Sequence, residues 1–285
     1  MGRAMGERLM ECGHDLVVWN RSAEKAAPLV DAGAKRTESP AALASQAEVV
    51  ITILTDAAAL DAVFGGTSGL LAGDLAGRLF IEMSTVRPDK QRELSESVRL
   101  AGAAYVECAV SGSVGPARQG KLIGLVGGEA EEVARARPVL EQLCRRVEHA
   151  GPVGAGASVK LAVNLPLALY FQALGEAWSL CRHLGRDPAW LIDIMADTSG
   201  GPNVIRTRGA SFATSLGGGT PPTSFEVEGI VKDMRTMVAE GAALGTSLPL
   251  TERALDIYSE ALGKGWAGRD GSTLAAFWPT RGKSG

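Results

Sequence analysis

The sequence predicts an α/β protein in which a doubly wound, mostly parallel sheet is followed by an all-helical domain. Three observations carry this. Before residue 152, short and nearly continuous apolar runs alternate with stretches at helical spacing, the pattern of strands covered on both faces. After it, only helical spacing remains. Between the two, Gly154-Ala155-Gly156-Ala157-Ser158-Val159-Lys160-Leu161-Ala162-Val163-Asn164 opens a long apolar helix. The domains are therefore placed at 1–152 and 153–285, with that helix as their joint.

Taken in order, residues 3–12 form a helix closed by Gly13-His14, and a strand over 15–21 runs into a turn before a second helix over 23–32. Further strands are expected at 48–54, 78–85, 104–110 and 122–127. Small and polar residues follow four of these strands: Asn20-Arg21-Ser22, Leu54-Thr55-Asp56, Ser84-Thr85-Val86 and Ser111-Gly112-Ser113. An open α/β sheet binds its ligand beyond the carboxyl ends of its strands, so these places should line one crevice suited to a nucleotide. The long helix is expected over 158–184, capped by Ser158 and ended by Gly185, with Pro166 kinking it beside Asn164. Asp187-Pro188 caps the next helix, 217–222 reads as a loop, 225–244 and 249–262 as helices, and 280–285 as a polar, frayed end.

With 285 residues, 46% of them hydrophobic, the chain can bury a substantial core. A net charge of −3 without charge runs gives no field that attracts nucleic acid or an anionic membrane. Partners are therefore a small molecule or a second copy. Cys12, Cys108, Cys144 and Cys181 are far apart and unpaired in spacing, which predicts free thiols in a reducing compartment. His14, His149 and His183 lack metal-ligand spacing, so no metal site is expected. The N-terminus is too charged for a secretory signal and no apolar run looks long enough to cross a membrane, which places the protein in the cytoplasm.

Lys160 and Asn164 stand four residues apart, about 6 Å along one helical face, and can reach one small molecule together. A lysine on a helix is ordinarily solvated, but Leu161, Ala162 and Val163 beside it predict a largely buried helix. Arg21 ends a strand and offers a cation that suits a phosphate group.

In this order the blocks resemble the β-hydroxyacid dehydrogenase family, which includes 3-hydroxyisobutyrate dehydrogenases and glyoxylate or succinic semialdehyde reductases. The resemblance spans essentially the whole chain and implies a Rossmann-type domain. Asn20-Arg21-Ser22 resembles the cofactor-selecting turn, and Met83-Ser84-Thr85-Val86 the nicotinamide-side segment. Ser111-Gly112-Ser113 with Gly120, Leu122 and Val126-Gly127-Gly128 resembles the substrate-binding stretch. The 154–164 block is similar to the segment carrying the catalytic lysine and asparagine, and Lys232-Asp233 to a late cofactor-contacting pair.

The family opens with a strand and a Gly-Leu-Gly-x-Met-Gly loop. Of that loop only Met1-Gly2 stands here, so the sheet is expected without its first strand, as from a start at an internal methionine. Ser113 replaces a usual glycine and Val163 a usual asparagine.

The resemblance implies an NADP-dependent oxidoreductase that interconverts a small hydroxy acid with its aldehyde or keto form. Lys160 is the implied general acid/base, while Asn164, Ser111 and the backbone N–H groups of Gly112 and Ser113, as an anion nest, hold substrate. Met1, Gly2, Asn20, Arg21, Ser22, Leu54, Thr85 and Lys232 line the cofactor, and Asp233 orients Lys160 or Lys232. A homodimer or homotetramer is implied as well. The alternative reading is a non-catalytic oligomeric scaffold of the same fold, its cofactor binding impaired by the missing loop.

Overall fold

The structure, a computed structural model, describes residues 1–198 and 200–281. The chain forms two compact units, Met1–Leu161 and Ala162–Gly285.

In the first unit α1 (Gly2–Glu11) leads to β1 (Val17–Val18), which pairs in parallel with β2 (Lys35–Arg36) across α2 (Ala23–Asp31). A separate sheet has the order β3-β4-β5-β6-β7, formed by Val49–Thr52, Leu79–Glu82, Ala104–Ser111, Leu122–Gly127 and Cys144–Gly151. All its pairs are parallel except β5 with β6. Among the described residues no strand joins β1 to β3, so the sheet stands in two pieces where the resemblance implies one.

Alternate residues of the central strands feed two cores, which explains their continuous apolar reading. Ile81, Val106 and Cys108 pack with Met5 and Leu9 of α1 and with Leu140 and Leu143 of α7 (Ala130–Leu143). Phe80 and Tyr105 pack on the other face with Leu60 and Phe64 of α4 (Ala57–Phe64) and Leu94 and Val98 of α5 (Pro88–Leu100). The short helices α3 (Pro40–Gln46) and α6 (Val114–Arg118) complete the layers.

Several sequence expectations need correction. The strand over 15–21 contracts to two residues, and β2 and β7 were not anticipated. Both lack an apolar run: β2 is exposed throughout, and most of β7 faces outward. Ser158 does not cap the long helix, which begins earlier as α8 (Ala155–Cys181); the Ser158 hydroxyl donates to the Gly154 carbonyl from within the first turn. The four cysteines are free, as expected.

In the second unit α8 continues through Pro166 without interruption and ends, after a 3-10 turn, at Gly185 with φ +64°. Helices α9 (Pro188–Asp197), α10 (Asn203–Leu216), α11 (Val227–Ala243), α12 (Pro249–Gly263) and α13 (Leu274–Arg281) follow. The Asp187 cap is formed, its carboxylate accepting the Ala189 N–H at 2.7 Å. Most of the 280–285 end lies outside the described residues. Contrary to expectation, 155–184 is long and apolar enough to cross a membrane by length and composition. Part of its apolar surface is taken up by this unit's own core. Phe171 meets Phe212 edge-on at 5.5 Å, and Tyr258 donates to the Ala168 carbonyl at 2.9 Å.

Gly175 lets α13 approach, since a Cβ there would collide with the Trp278 indole and stand 2.8 Å from the Ala275 carbonyl. Gly175→Ala is accordingly expected to destabilise this unit by about 1–3 kcal/mol, read as a lower denaturant midpoint.

Candidate active site

The site residues of the first unit gather at strand ends. A Cβ on Gly2 would lie 3.2 Å from Ile53, just beyond β3, so the start of α1 sits against that strand's carboxyl end. The Leu54 N–H donates to Ser84 Oγ at 2.8 Å and ties the ends of β3 and β4 together. Ser84 is buried and Thr85 half-buried beside it. After β1, Asn20 Oδ1 accepts the Ser22 N–H at 2.9 Å, a tight turn that leaves Arg21 exposed.

These groups fit an anionic dinucleotide. The first N–H groups of α1 precede its earliest internal bond, Met5 N–H to Met1 carbonyl, and Arg21 adds a cation. What differs from the resemblance is the loop: Met1 and Gly2 are present, and no strand among the described residues leads into them.

Ser111 ends β5, Gly112 takes φ +131°, and Ser113 begins α6 without a capping side-chain bond. A Cβ on Gly112 would stand 2.8 Å from Leu122 Cδ2, so glycine is needed there for both conformation and space. Ser113 is extended, with φ −108° and ψ −172°. A nest needs successive residues of opposite helical hand, so the nest expected from the sequence is not formed.

Lys160 is buried, with 8% of its surface exposed, in the part of α8 that belongs to the first unit. Asn164, one turn along the same helix, belongs to the second unit, and its Nδ2 donates to Asp233 Oδ2 at 3.1 Å. The other Asp233 oxygen pairs with Lys232 Nζ at 2.6 Å. Asp233, 4% exposed, thus pairs with Lys232, one of the two partners expected for it, and also holds Asn164, a bond the sequence did not disclose. A small cavity beside Asn164 and Asp233 is walled by Phe171, Phe225, Ile230 and Met237.

Sequence reasoning also missed two buried carboxylates, Glu82 and Glu107, which stand opposite one another in the β4–β5 register. Glu82 accepts from the Ser84 N–H at 2.9 Å and from Gln91 Nε2 at 2.6 Å; Gln91 in turn accepts from the Tyr105 hydroxyl at 2.5 Å. Loss of hydration pushes the Glu82 carboxyl up, against the pull of these bonds. A lone glutamate inside each apolar run, Phe80-Ile81-Glu82-Met83 and Val106-Glu107-Cys108, was the available signal.

Comparison with known proteins identifies the family. A family model described as the NAD binding domain of 6-phosphogluconate dehydrogenase matches residues 1–151. A second, described as NAD-binding of NADP-dependent 3-hydroxyisobutyrate dehydrogenase, matches residues 154–278. The 3-hydroxyisobutyrate dehydrogenase of Pseudomonas aeruginosa is 34% identical over 269 residues, covering 91% of this chain and 88% of that protein. The chloroplastic glyoxylate/succinic semialdehyde reductase 2 of Arabidopsis thaliana is 29% identical, over 96% of this chain and 75% of that one. The structure of Mycobacterium tuberculosis 3-hydroxyisobutyrate dehydrogenase with L-serine aligns with a TM-score of 0.84 at 28% identity, covering 97% and 95% of the two chains. A nucleotide-type sheet end, a buried lysine on the long helix, a helical second unit and these matches lead to one assignment: the chain belongs to the β-hydroxyacid dehydrogenase family.

Proposed function

We propose that this protein is an NADP-dependent oxidoreductase interconverting a short hydroxy acid with its aldehyde or keto form. The observation that carries the reading is Lys160. Lys160 is buried in α8, one helical turn before an asparagine held in place by Asp233, at the position where the resemblance implies the acid/base lysine.

The nicotinamide, when bound, supplies or accepts the hydride. For reduction, the Lys160 ammonium polarises the substrate carbonyl and gives a proton to the oxygen as it becomes an alkoxide. For oxidation, the neutral amine takes the hydroxyl proton. Asn164, its amide held by Asp233, is assigned to the substrate hydroxyl, and Ser111 to the carboxylate, as the resemblance implies. Leu180 and Leu184, 79% and 56% exposed, with Trp190 and Ile194 on α9, support a homo-oligomer buried through that surface.

Fluorescence titration of NADPH and NADH into the cofactor-free protein, followed by assays with small semialdehydes, tests the proposal. Micromolar saturation by NADPH with turnover is expected; failure to bind either dinucleotide would sink it. Arg21→Asp is expected to move the ratio of NADPH to NADH dissociation constants at least tenfold toward NADH, because an aspartate repels the 2′-phosphate and accepts from the 2′-hydroxyl. An unchanged ratio would free Arg21 of the selecting role.

A further inference from the structure

One group in the first unit is placed at unusual structural cost and has no part in the chemistry described so far. Glu107, fully buried in β5, turns a single oxygen, Oε1, to the start of α8, where it accepts the N–H groups of Gly154 at 2.7 Å and Gly156 at 2.8 Å. The other oxygen, Oε2, is buried with no hydrogen-bond partner. Three glycines make the approach possible. A Cβ on Gly127 would collide with Oε1, and one on Gly156 with the Leu125 carbonyl, while Gly154 holds φ +101° against the Arg92 guanidinium. A strand between two apolar cores could carry an apolar residue here more cheaply. What the carboxylate does that an apolar side chain cannot is grip the amide end of a helix whose dipole favours negative charge. Lys160 lies one turn beyond Gly156.

We propose that Glu107 is a positioning residue whose ionised carboxylate clamps the first turn of α8 and thereby sets the place of the Lys160 amine. This rests on the reading of Lys160 as the acid/base group. Burial pushes the Glu107 carboxyl up to about 7, partly offset by the N–H groups of Gly154, Gly156 and Ala157 and reinforced by the nearby Glu82. The titratable or charged groups around it are Glu82 on β4, Tyr105 and Cys108 on β5, Arg92 on α5 at Gly154, and His149 on β7, which bonds the Gly128 and Gly151 carbonyls. The clamp thus tightens as pH rises through neutrality, because an ionised carboxylate accepts stronger hydrogen bonds than a protonated one.

Amide hydrogen exchange of residues 154–157 in the cofactor-free protein tests the clamp without reference to turnover. Corrected for intrinsic exchange, protection in the wild type is expected to grow roughly tenfold between pH 6 and 8, and in Glu107→Gln to stay flat and lower. Turnover tests the consequence: kcat of the wild type rises through pH 7, whereas Glu107→Gln loses that limb and about tenfold in kcat with dinucleotide affinity unchanged. Glu107→Asp, one methylene short, should lose more. Flat wild-type protection overturns the proposal even if no variant folds. So does a variant that loses protection but keeps the wild-type kcat profile, which would make Glu107 merely structural, or one that loses the limb with protection intact. A Lys160→Ala protein that turns over normally removes the underlying reading, and is told apart because the exchange result stands by itself.

Discussion

Lys160→Ala is expected to lower kcat by about 10²–10⁴-fold in both directions, the usual range for losing a positioned proton donor or acceptor. Dinucleotide affinity should stay within about threefold, because Lys160 is assigned to substrate rather than to the phosphates. Lys160→Arg sharpens the test: a guanidinium restores the charge yet cannot give up its proton near neutral pH, so it should fail in oxidation most of all. The side chain is 8% exposed, so truncation also leaves a cavity beneath α8. Melting temperatures of the variants therefore accompany the kinetics. A kcat within tenfold of wild type would move the proton transfer to another group.

Asp270→Ala should be the most damaging single change to the second unit, at about 3–5 kcal/mol, the cost of breaking a buried and hydrogen-bonded charge. Asp270 is 1% exposed and accepts from the Ser224 N–H at 2.8 Å, the Ser272 N–H at 3.0 Å, the Ser272 hydroxyl at 2.7 Å and Arg208 at 3.0 Å. It ties the turn before α11 to the 3-10 turn before α13 and to α10. Removing it strands the Arg208 cation and several N–H donors, and frees Phe225, a wall of the cavity beside Asn164. A fall in melting temperature on the order of 10 °C or more is expected. Burial pushes the Asp270 carboxyl up, but its hydrogen bonds and Arg208 outweigh this and hold it below the usual carboxylate range. The stability it contributes is therefore present above the unfolded value near pH 4 and lost as pH falls through the lower folded one. Wild type and Asp270→Ala should converge in stability only at strongly acid pH. Equal melting temperatures at pH 7 would contradict the network's role.

Much of this architecture was legible in residue order. Strands buried on both faces announce themselves as apolar runs: β3, β4 and β6 lie within the expected segments, and β5 runs one residue past the end of its own. β2 and β7 did not, because an exposed edge strand needs no apolar face and is held by its backbone partners. The antiparallel β5–β6 pair was also hidden, since direction is set by the connection and not by composition. At the site, Lys160 and Asn164 could be picked out by spacing on one helix. The Asp233 bond to Asn164 spans 69 positions, and the Glu107 bonds to the start of α8 span 47 and 49; local pattern carries no trace of such pairs.

The row of Glu82 and Glu107 across the sheet gives folding a proton inventory. Between about pH 4.5 and 7 the unfolded chain has released the Glu107 proton, while the native chain, whose carboxyl is pushed up to about 7, still holds it. Folding in that window takes up a proton, so native stability falls as pH rises across it, by about 3 kcal/mol in all for this one group. Glu82, raised in the same direction, adds to the uptake. Calorimetric unfolding in buffers of different ionisation enthalpy would count those protons directly. Glu107→Gln should remove close to one of them and, uniquely among the changes considered, make the protein more stable at pH 8 than the wild type.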